Sequence, residues 1–160
     1  MARTETSILI ARPIEAVFAF VADPENLPRW AAQTYDVTMT STAPITVGTT
    51  FLAVGRFLNQ RIESLEEVIE YEPNRQYTLR SSSCPLAFVF HYAFEPEGDG
   101  TKLVFVGEVQ AGFFFKLTEP IFAGGVTRLC GTDLRRLKAL LEAPNDRARH
   151  RLQASARPVG

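Results

Sequence analysis

The chain has 160 residues, of which 46% are hydrophobic and 22% are charged, a composition typical of one globular domain. The formal net charge of −1 argues against a protein that binds nucleic acid by neutralising phosphates. Two cysteines cannot form a disulfide scaffold and suit a reducing compartment. No apolar run approaches the roughly 20 residues of a membrane helix. We therefore expect a cytoplasmic domain without an integral membrane segment.

Aromatic residues are distributed unevenly. The chain has 12 Phe but only 4 Tyr and 1 Trp, and eight of the 12 Phe lie between Phe88 and Phe122. Large apolar rings concentrated in one stretch either fill a core or line a cavity.

The first 32 residues predict one strand and two short helices. Thr6 to Ala11 is a short β-like run, and Pro13 suits the first turn of a helix because its φ is preset. The next apolar residues recur at steps of three and four and indicate one buried helix face: Ile14, Val17, Phe18 and Val21. Asp23 is a suitable N-cap for a second helix, which ends near Trp30.

From Tyr35 the hydrophobic period changes to two, which predicts strands. Turn-forming residues such as Glu72-Pro73-Asn74 and Glu97-Gly98-Asp99-Gly100 separate them. The six predicted strands cover 35–39, 51–57, 61–71, 75–82, 86–94 and 101–109. Consecutive strands with short connections predict an antiparallel sheet.

A long helix of about 25 residues follows, from Thr118-Glu119-Pro120 to the stop at Pro144. It is the only predicted element large enough to cover one face of the sheet, and a gap between them is a natural ligand site. We therefore expect one domain over residues 1–143. Residues 144–160 contain four arginines and no strong apolar period, so we expect a disordered basic tail.

Several segments resemble the START-like, or SRPBCC, superfamily. They are Ile10-Ala-Arg-Pro-Ile-Glu-Ala-Val-Phe-Ala-Phe-Val-Ala-Asp-Pro-Glu-Asn-Leu-Pro-Arg-Trp30, Arg56-Phe-Leu-Asn-Gln-Arg-Ile-Glu63, Val68-Ile-Glu-Tyr-Glu-Pro73, Gly100-Thr-Lys-Leu103 and Asp133-Leu-Arg-Arg-Leu-Lys-Ala-Leu-Leu-Glu142. The resemblance implies an α+β helix-grip fold. In that fold a curved antiparallel sheet of about seven strands wraps a long C-terminal helix, and two short helices follow the first strand.

The resemblance is to the polyketide cyclase/dehydrase and lipid-transport branch. It implies an internal cavity that binds a hydrophobic small molecule such as a lipid, polyketide or quinone, without a cofactor. Inward-facing aromatic and apolar side chains should line it: Trp30, Tyr35, Phe51, Phe57, Tyr77, Leu79, Phe88, Phe90, Tyr92, Phe105, Phe122 and Val126. Phe113-Phe114-Phe115 should lie at its mouth.

The strand over 61–71 carries the candidate acid–base groups. Glu63 and Glu67 share the face of Leu65 and Ile69, whereas Glu66 and Glu70 share the face of Ile62 and Val68. The alternation leaves open which face points inward, and a buried carboxylate there would have a raised pKa. We take Glu63, Glu67 and Tyr77 as the candidate catalytic residues.

Other reactive side chains are few. His91 alternates away from Phe90 and Tyr92, so we expect it outside the cavity. Cys130 lies in the apolar pattern of the long helix and is expected in the core. The residue types are not spaced as metal ligands, so no metal site is expected.

The sequence leaves a carrier and an enzyme both open. An enzyme of this kind would fold a flexible substrate in the cavity and catalyse its cyclisation or dehydration without a metal. The alternative is a protein-partner or co-chaperone-type role through the sheet face. Leu52, Val54 and Leu58 are then the candidate contacts, and they could also form a homodimer.

Overall fold

The computed structural model describes residues 2–42, 44–57, 59–81, 86–111 and 119–144. The segment Phe113–Phe115 and all but the first residue of the expected basic tail lie outside these residues. The predicted fold class is confirmed within them, because a seven-stranded antiparallel sheet curves around a C-terminal helix.

The strands are β1 (Ala2–Ile10), β2 (Thr34–Met39), β3 (Thr50–Phe57), β4 (Gln60–Glu72), β5 (Gln76–Ser81), β6 (Leu86–Glu97) and β7 (Gly100–Ala111). The α-helices are α1 (Ile14–Val21), α2 (Leu27–Trp30) and α3 (Glu119–Glu142), and a 3₁₀ helix, Pro24–Asn26, precedes α2. The two predicted short helices are thus present, the second as a 3₁₀ turn that continues into α2.

The strand order is β1-β7-β6-β5-β4-β3-β2. Strands β2 to β7 follow the chain, and β1 joins the free edge of β7 with Ile10 opposite Thr101. Two of the tight turns contain an Asn at positive φ, Asn59 and Asn74, and Asn tolerates this conformation better than most residues. The two edge strands, β1 and β2, therefore lie at opposite ends of the sheet.

Helix α1 covers one end of the concave face. It buries Val17, Phe18 and Val21, as its three- and four-residue spacing predicts. The ring of Phe18 meets Tyr71 edge-on at 5.4 Å and Phe94 at 5.0 Å between centroids. These contacts form the aromatic core at this end of the sheet. Helices α2 and α3 cover the other end.

Helix α3 packs against β1 and buries Leu134, Leu137 and Leu141. Its last turn is fixed by two long-range hydrogen bonds. Arg12 Nη1 donates to the carbonyl of Leu141 at 2.9 Å, and Glu142 Oε1 accepts from the backbone N–H of Ala11 at 2.8 Å. These bonds satisfy a helix carbonyl that would otherwise lack a partner, and they hold the C-terminal half of α3 in place.

The outer sheet face offers less apolar surface than the alternation suggests. Leu52 is half-buried and lies opposite Leu65, which is 53% exposed. Val54 is only 6% exposed, and Leu58 lies outside the described residues. The contact surface expected for a protein partner or a second copy therefore lacks Val54, and that role stays a prediction.

Candidate functional site

A cavity of about 190 Å³ lies between the concave face of the sheet, α2 and α3. One water needs about 15 Å³ on the same kind of measure, so the space is large enough for an organic molecule. Strands β3 to β7 supply one wall of the cavity, and Leu129, Cys130, Asp133 and Leu134 of α3 supply the opposite wall.

Aromatic rings form much of the sheet wall. Phe88 and Phe90 stack at 4.2 Å between centroids, and Phe90 meets Phe105 edge-on at 5.4 Å. Tyr92 lies 5.1 Å from Phe105 and 6.1 Å from Trp30, which is the last residue of α2. Phe88, Phe90 and Tyr92 share one face of β6 because side chains on a strand alternate. Four rings of the sheet and the Trp30 ring of α2 therefore line the space.

A carboxyl group interrupts this apolar wall. Glu66 on β4 lines the cavity and is only 6% exposed. Its Oε1 accepts a 2.9 Å hydrogen bond from the hydroxyl of Ser64. Burial raises the pKa of Glu66 to about 7, and the Ser64 hydrogen bond offsets part of that rise. The group can therefore hold or release a proton near neutral pH.

The structure settles which face of β4 points inward. Ile62, Ser64 and Glu66 line the cavity, and Val68 is fully buried. The alternation then places Glu63 and Glu67 on the outer face. There Glu63 pairs with Arg61 at 2.8 Å and Glu67 pairs with Arg80 at 2.8 Å, all with exposed side chains. Glu63 and Glu67, the predicted acid–base candidates, therefore do not line the cavity, and Glu66 is the carboxyl group of β4 that does.

Glu70 does not join Glu66 on the inner face, although it lies four residues further along β4. The register of β4 against β5 shifts between Val68 and Glu70. Such a bulge adds one residue and reverses the alternation beyond it. Tyr71 therefore turns inward against the core, and Glu70 turns outward.

Asp133 and Cys130 face the cavity from α3. Asp133 Oδ1 accepts a 3.0 Å hydrogen bond from the backbone N–H of Ala32, which ties α3 to the end of α2. Burial raises the pKa of Asp133, while this bond and the nearby Arg136 oppose the rise. Burial also raises the pKa of the Cys130 thiol to about 12, with Asp133 adding to it. Cys130 is therefore a thiol, not a thiolate, and is a poor nucleophile.

Six predicted lining residues are in the cavity wall: Trp30, Leu79, Phe88, Phe90, Tyr92 and Phe105. Phe51 and Tyr77 do not line the cavity and are fully buried in the surrounding core. Tyr77 packs between Tyr71 and Tyr92. The side chains of Phe57, Phe122 and Val126 lie outside the described part of the structure.

Tyr35 lies outside the cavity. Its side chain is 51% exposed, and its hydroxyl accepts a 3.3 Å hydrogen bond from Nε of Arg61. The register of β2 against β3 shifts between Thr34 and Asp36. This irregularity removes Tyr35 from the alternation that leads to Val37 and Met39, so its predicted inward orientation is wrong.

Some cavity residues were not singled out from the sequence. Ala31 and Gln33 lie in the connection between α2 and β2, where no periodic pattern marks them, and Thr34 is the first residue of β2. Ser64 had a usable signal, since it precedes Glu66 by two residues and shares its strand face.

His91 lies on the outer face, as its alternation with Phe90 and Tyr92 predicts. Its Nδ1 is 2.6 Å from Thr78 Oγ1 and 3.2 Å from Glu70 Oε2. The Thr78 hydroxyl donates to the same Glu70 oxygen at 2.5 Å. His91 therefore takes part in an outer polar cluster and does not reach the cavity.

The described residues contain neither a group of metal ligands nor a helix that could span a membrane. No group of three or more His, Cys, Asp or Glu side chains among them is placed to hold a metal ion. None of their helices is long and apolar enough to cross a membrane.

Solved structures resemble this chain closely in fold and weakly in sequence. TTHA0849 from Thermus thermophilus has a TM-score of 0.75 and 18% identity, with 87% of this chain and 96% of that chain covered. The Zhui aromatase/cyclase from Streptomyces sp. R1128 has a TM-score of 0.73 and 13% identity, with 88% and 93% covered. The di-domain aromatase/cyclase StfQ of the steffimycin pathway has a TM-score of 0.71 and 13% identity, with 92% and 51% covered. At these identities the likeness shows the fold alone.

No curated protein matches the sequence. The sequence profile of the family described as polyketide cyclase / dehydrase and lipid transport matches residues 1–142. This match spans every strand and helix described above. The chain therefore belongs to the polyketide cyclase / dehydrase and lipid transport family.

Proposed function

We propose that this protein binds an apolar, ring-containing small molecule in the cavity and presents Glu66 to it as a proton donor or acceptor. One observation carries the proposal: the aromatic wall of a 190 Å³ cavity is interrupted by a buried carboxyl group. Cavities with apolar walls and a few polar groups are the usual form of small-molecule sites.

The family and the neighbouring structures support this proposal. The family description joins polyketide cyclisation, dehydration and lipid transport, all of which handle apolar molecules. Two of the structures described above are named aromatase/cyclases. Flat aromatic ligands suit a wall in which Phe88 and Phe90 are stacked, because offset stacking and edge contacts both favour ring–ring packing.

The proton chemistry of the described cavity residues resides mainly on Glu66. A carboxyl with a pKa of about 7 has substantial fractions of both forms at neutral pH, so it can act as an acid or as a base. Burial keeps Tyr92 and Cys130 protonated, since it raises both of their pKa values. We assign Glu66 the proton-transfer step in any cyclisation or dehydration of the bound ligand.

The proposal can be tested with the purified full-length protein. Native mass spectrometry followed by solvent extraction should detect a co-purifying apolar molecule of constant mass. Independently, the fluorescent probe N-phenylnaphthylamine should bind and quench Trp30, which is the single tryptophan of the chain and lines the cavity. A protein that carries no such molecule and leaves the probe unbound contradicts the proposal.

A further inference from the structure

The cavity combines several aromatic rings with acidic groups from both walls. Glu66 projects from β4, Asp133 projects from α3, and the Tyr92 hydroxyl lies close enough for both carboxyls to raise its pKa. Arg56 is the one basic residue in the described lining, and it is exposed to solvent. No ion pair joins Glu66 to a basic side chain of the described residues.

Tyr92 is a second polar side chain in the cavity wall. It is 4% exposed and lines the cavity. Burial is the largest cause of its raised pKa, and the other causes are nearby acidic groups. A hydrogen-bond donor of the ligand that reaches the Tyr92 oxygen would therefore also approach the two carboxyls.

Aromatic faces and carboxylates attract the same kind of ligand. The face of an aromatic ring carries partial negative charge, and a cation over it gains more when water is excluded. Trp30, Phe90, Tyr92 and Phe105 line the same cavity as Glu66. An ammonium group there would contact the rings and the carboxylate at once, whereas an anion would be repelled by both.

We propose that the ligand is an apolar organic amine bound in its protonated form, with its ammonium group paired to Glu66 and its apolar body against the aromatic wall. This inference rests on the proposed function, since it names the chemical class of the ligand of that same cavity. Asp133 adds negative charge from the opposite wall, and the Tyr92 hydroxyl can accept a hydrogen bond from the ammonium.

Ionising Glu66 for this ion pair costs little free energy. Because the pKa of Glu66 is already near neutral, only a small part of the binding free energy is needed to ionise it at about pH 7.5. Its Oε1 is held by Ser64 at 2.9 Å, so the carboxylate is oriented before the ligand arrives. A hydrogen bond between charged partners in such a site is worth roughly ten- to hundredfold in affinity.

The test compares two probes with the same skeleton, naphthylmethylamine and naphthylmethanol, by isothermal titration at about pH 7.5. The wild-type protein should bind the amine at least about tenfold more tightly than the alcohol. In Glu66→Gln this preference should disappear, because the amine loses its charged partner and the alcohol has no charge to pair. The matched control is Glu67→Gln, because Glu67 lies on the outer face paired with Arg80 and should keep the wild-type preference.

Carboxyl carbon NMR of the wild-type protein provides a second measurement that does not depend on any variant. Binding of the amine should lower the pKa of Glu66, because the ammonium favours the ionised form. An alcohol that binds as tightly as the amine, a preference that survives in Glu66→Gln, or an unchanged Glu66 titration overturns the amine inference and leaves the proposed function standing. Failure of both probes to bind overturns both.

Discussion

Ser64 donates a 2.9 Å hydrogen bond to Oε1 of Glu66 inside the cavity wall. The two residues are two apart on β4, so their side chains point to the same face. The hydroxyl stabilises the ionised carboxylate and opposes the burial that raises its pKa. The pair therefore holds an acid in a largely apolar site near the point where it can gain or lose a proton at neutral pH.

Removal of the Ser64 hydroxyl should raise the pKa of Glu66 further. In Ser64→Ala the carboxylate loses a hydrogen bond worth about 1 kcal/mol, so the pKa should rise by roughly one unit above its value of about 7. Carbon NMR titration of the labelled glutamates measures this directly. Ser64→Thr keeps a hydroxyl at the same position and should restore the wild-type value; a Ser64→Ala protein with an unchanged or lower pKa contradicts the assignment.

Glu66 should make the protein less stable as the pH rises. Its pKa is about 4.5 when unfolded and about 7 when folded, so the folded state binds more protons between these values. Stability is therefore lost as the pH rises through this window. The loss amounts to about 3 kcal/mol and is complete above the folded pKa.

Urea unfolding of wild type and Glu66→Gln at about pH 5 and about pH 8 measures this effect. The Gln side chain does not titrate, so the variant should gain stability relative to wild type at the higher pH. Glu63→Gln serves as the control, because Glu63 is 51% exposed and paired with Arg61. Equal pH dependence in wild type and Glu66→Gln would show that Glu66 is not buried as a carboxylic acid.

The sequence predicted the fold well because its hydrophobic periods are clear. Phe88, Phe90 and Tyr92 alternate with Val89 and His91, and a strand has only two faces. Once the sheet has one covered face, this pattern fixes which rings enter it. The part of the cavity wall made by β6 could therefore be predicted from the residues alone.

The residues whose orientation was predicted incorrectly lie where the apolar–polar alternation of a strand is interrupted or does not distinguish its two faces. Tyr35 follows the period of β2 in the sequence, yet a register shift between Thr34 and Asp36 places it outside. On β4 apolar residues occur on both faces, so Glu63 and Glu66 were equally plausible, and a bulge before Glu70 hides the pattern. Bulges depend on pairing with the neighbouring strand, and that pairing is not visible in a single strand's sequence.

Phe90 and His91 are neighbours on β6 that should differ in their effect on ligand binding. Phe90 lines the cavity, so Phe90→Asp places a carboxylate in the aromatic wall and should weaken N-phenylnaphthylamine binding by at least about tenfold. His91 contacts Thr78 and Glu70 on the outer face, so His91→Ala should bind the probe within about twofold of wild type. Fluorescence titration measures both variants, and circular dichroism checks that they are folded.

An equal loss in the two variants would contradict this face assignment. Phe90→Leu distinguishes lost shape from introduced charge, because it keeps an apolar side chain in the wall. It should weaken probe binding less than Phe90→Asp does.

Replacement of Tyr77 by phenylalanine should not lower the stability of the protein. Its hydroxyl is buried, and no described residue offers it a hydrogen bond. Since an unsatisfied buried hydroxyl is unfavourable, Tyr77→Phe should leave stability unchanged or raise it by about 1 kcal/mol. Thr101→Val is the matched comparison, because the Thr101 hydroxyl is also buried but donates to the carbonyl of Arg12 at 2.9 Å.

Removal of the Thr101 hydroxyl should therefore cost about 1 kcal/mol. Urea unfolding of both variants gives the two free energies of unfolding on one scale. Tyr77 packs behind the cavity wall and does not line it, so Tyr77→Phe should also bind N-phenylnaphthylamine as wild type does. A Tyr77→Phe protein that is less stable than Thr101→Val, or that loses the probe, would show that the Tyr77 hydroxyl has a partner in solution and contributes to the cavity after all.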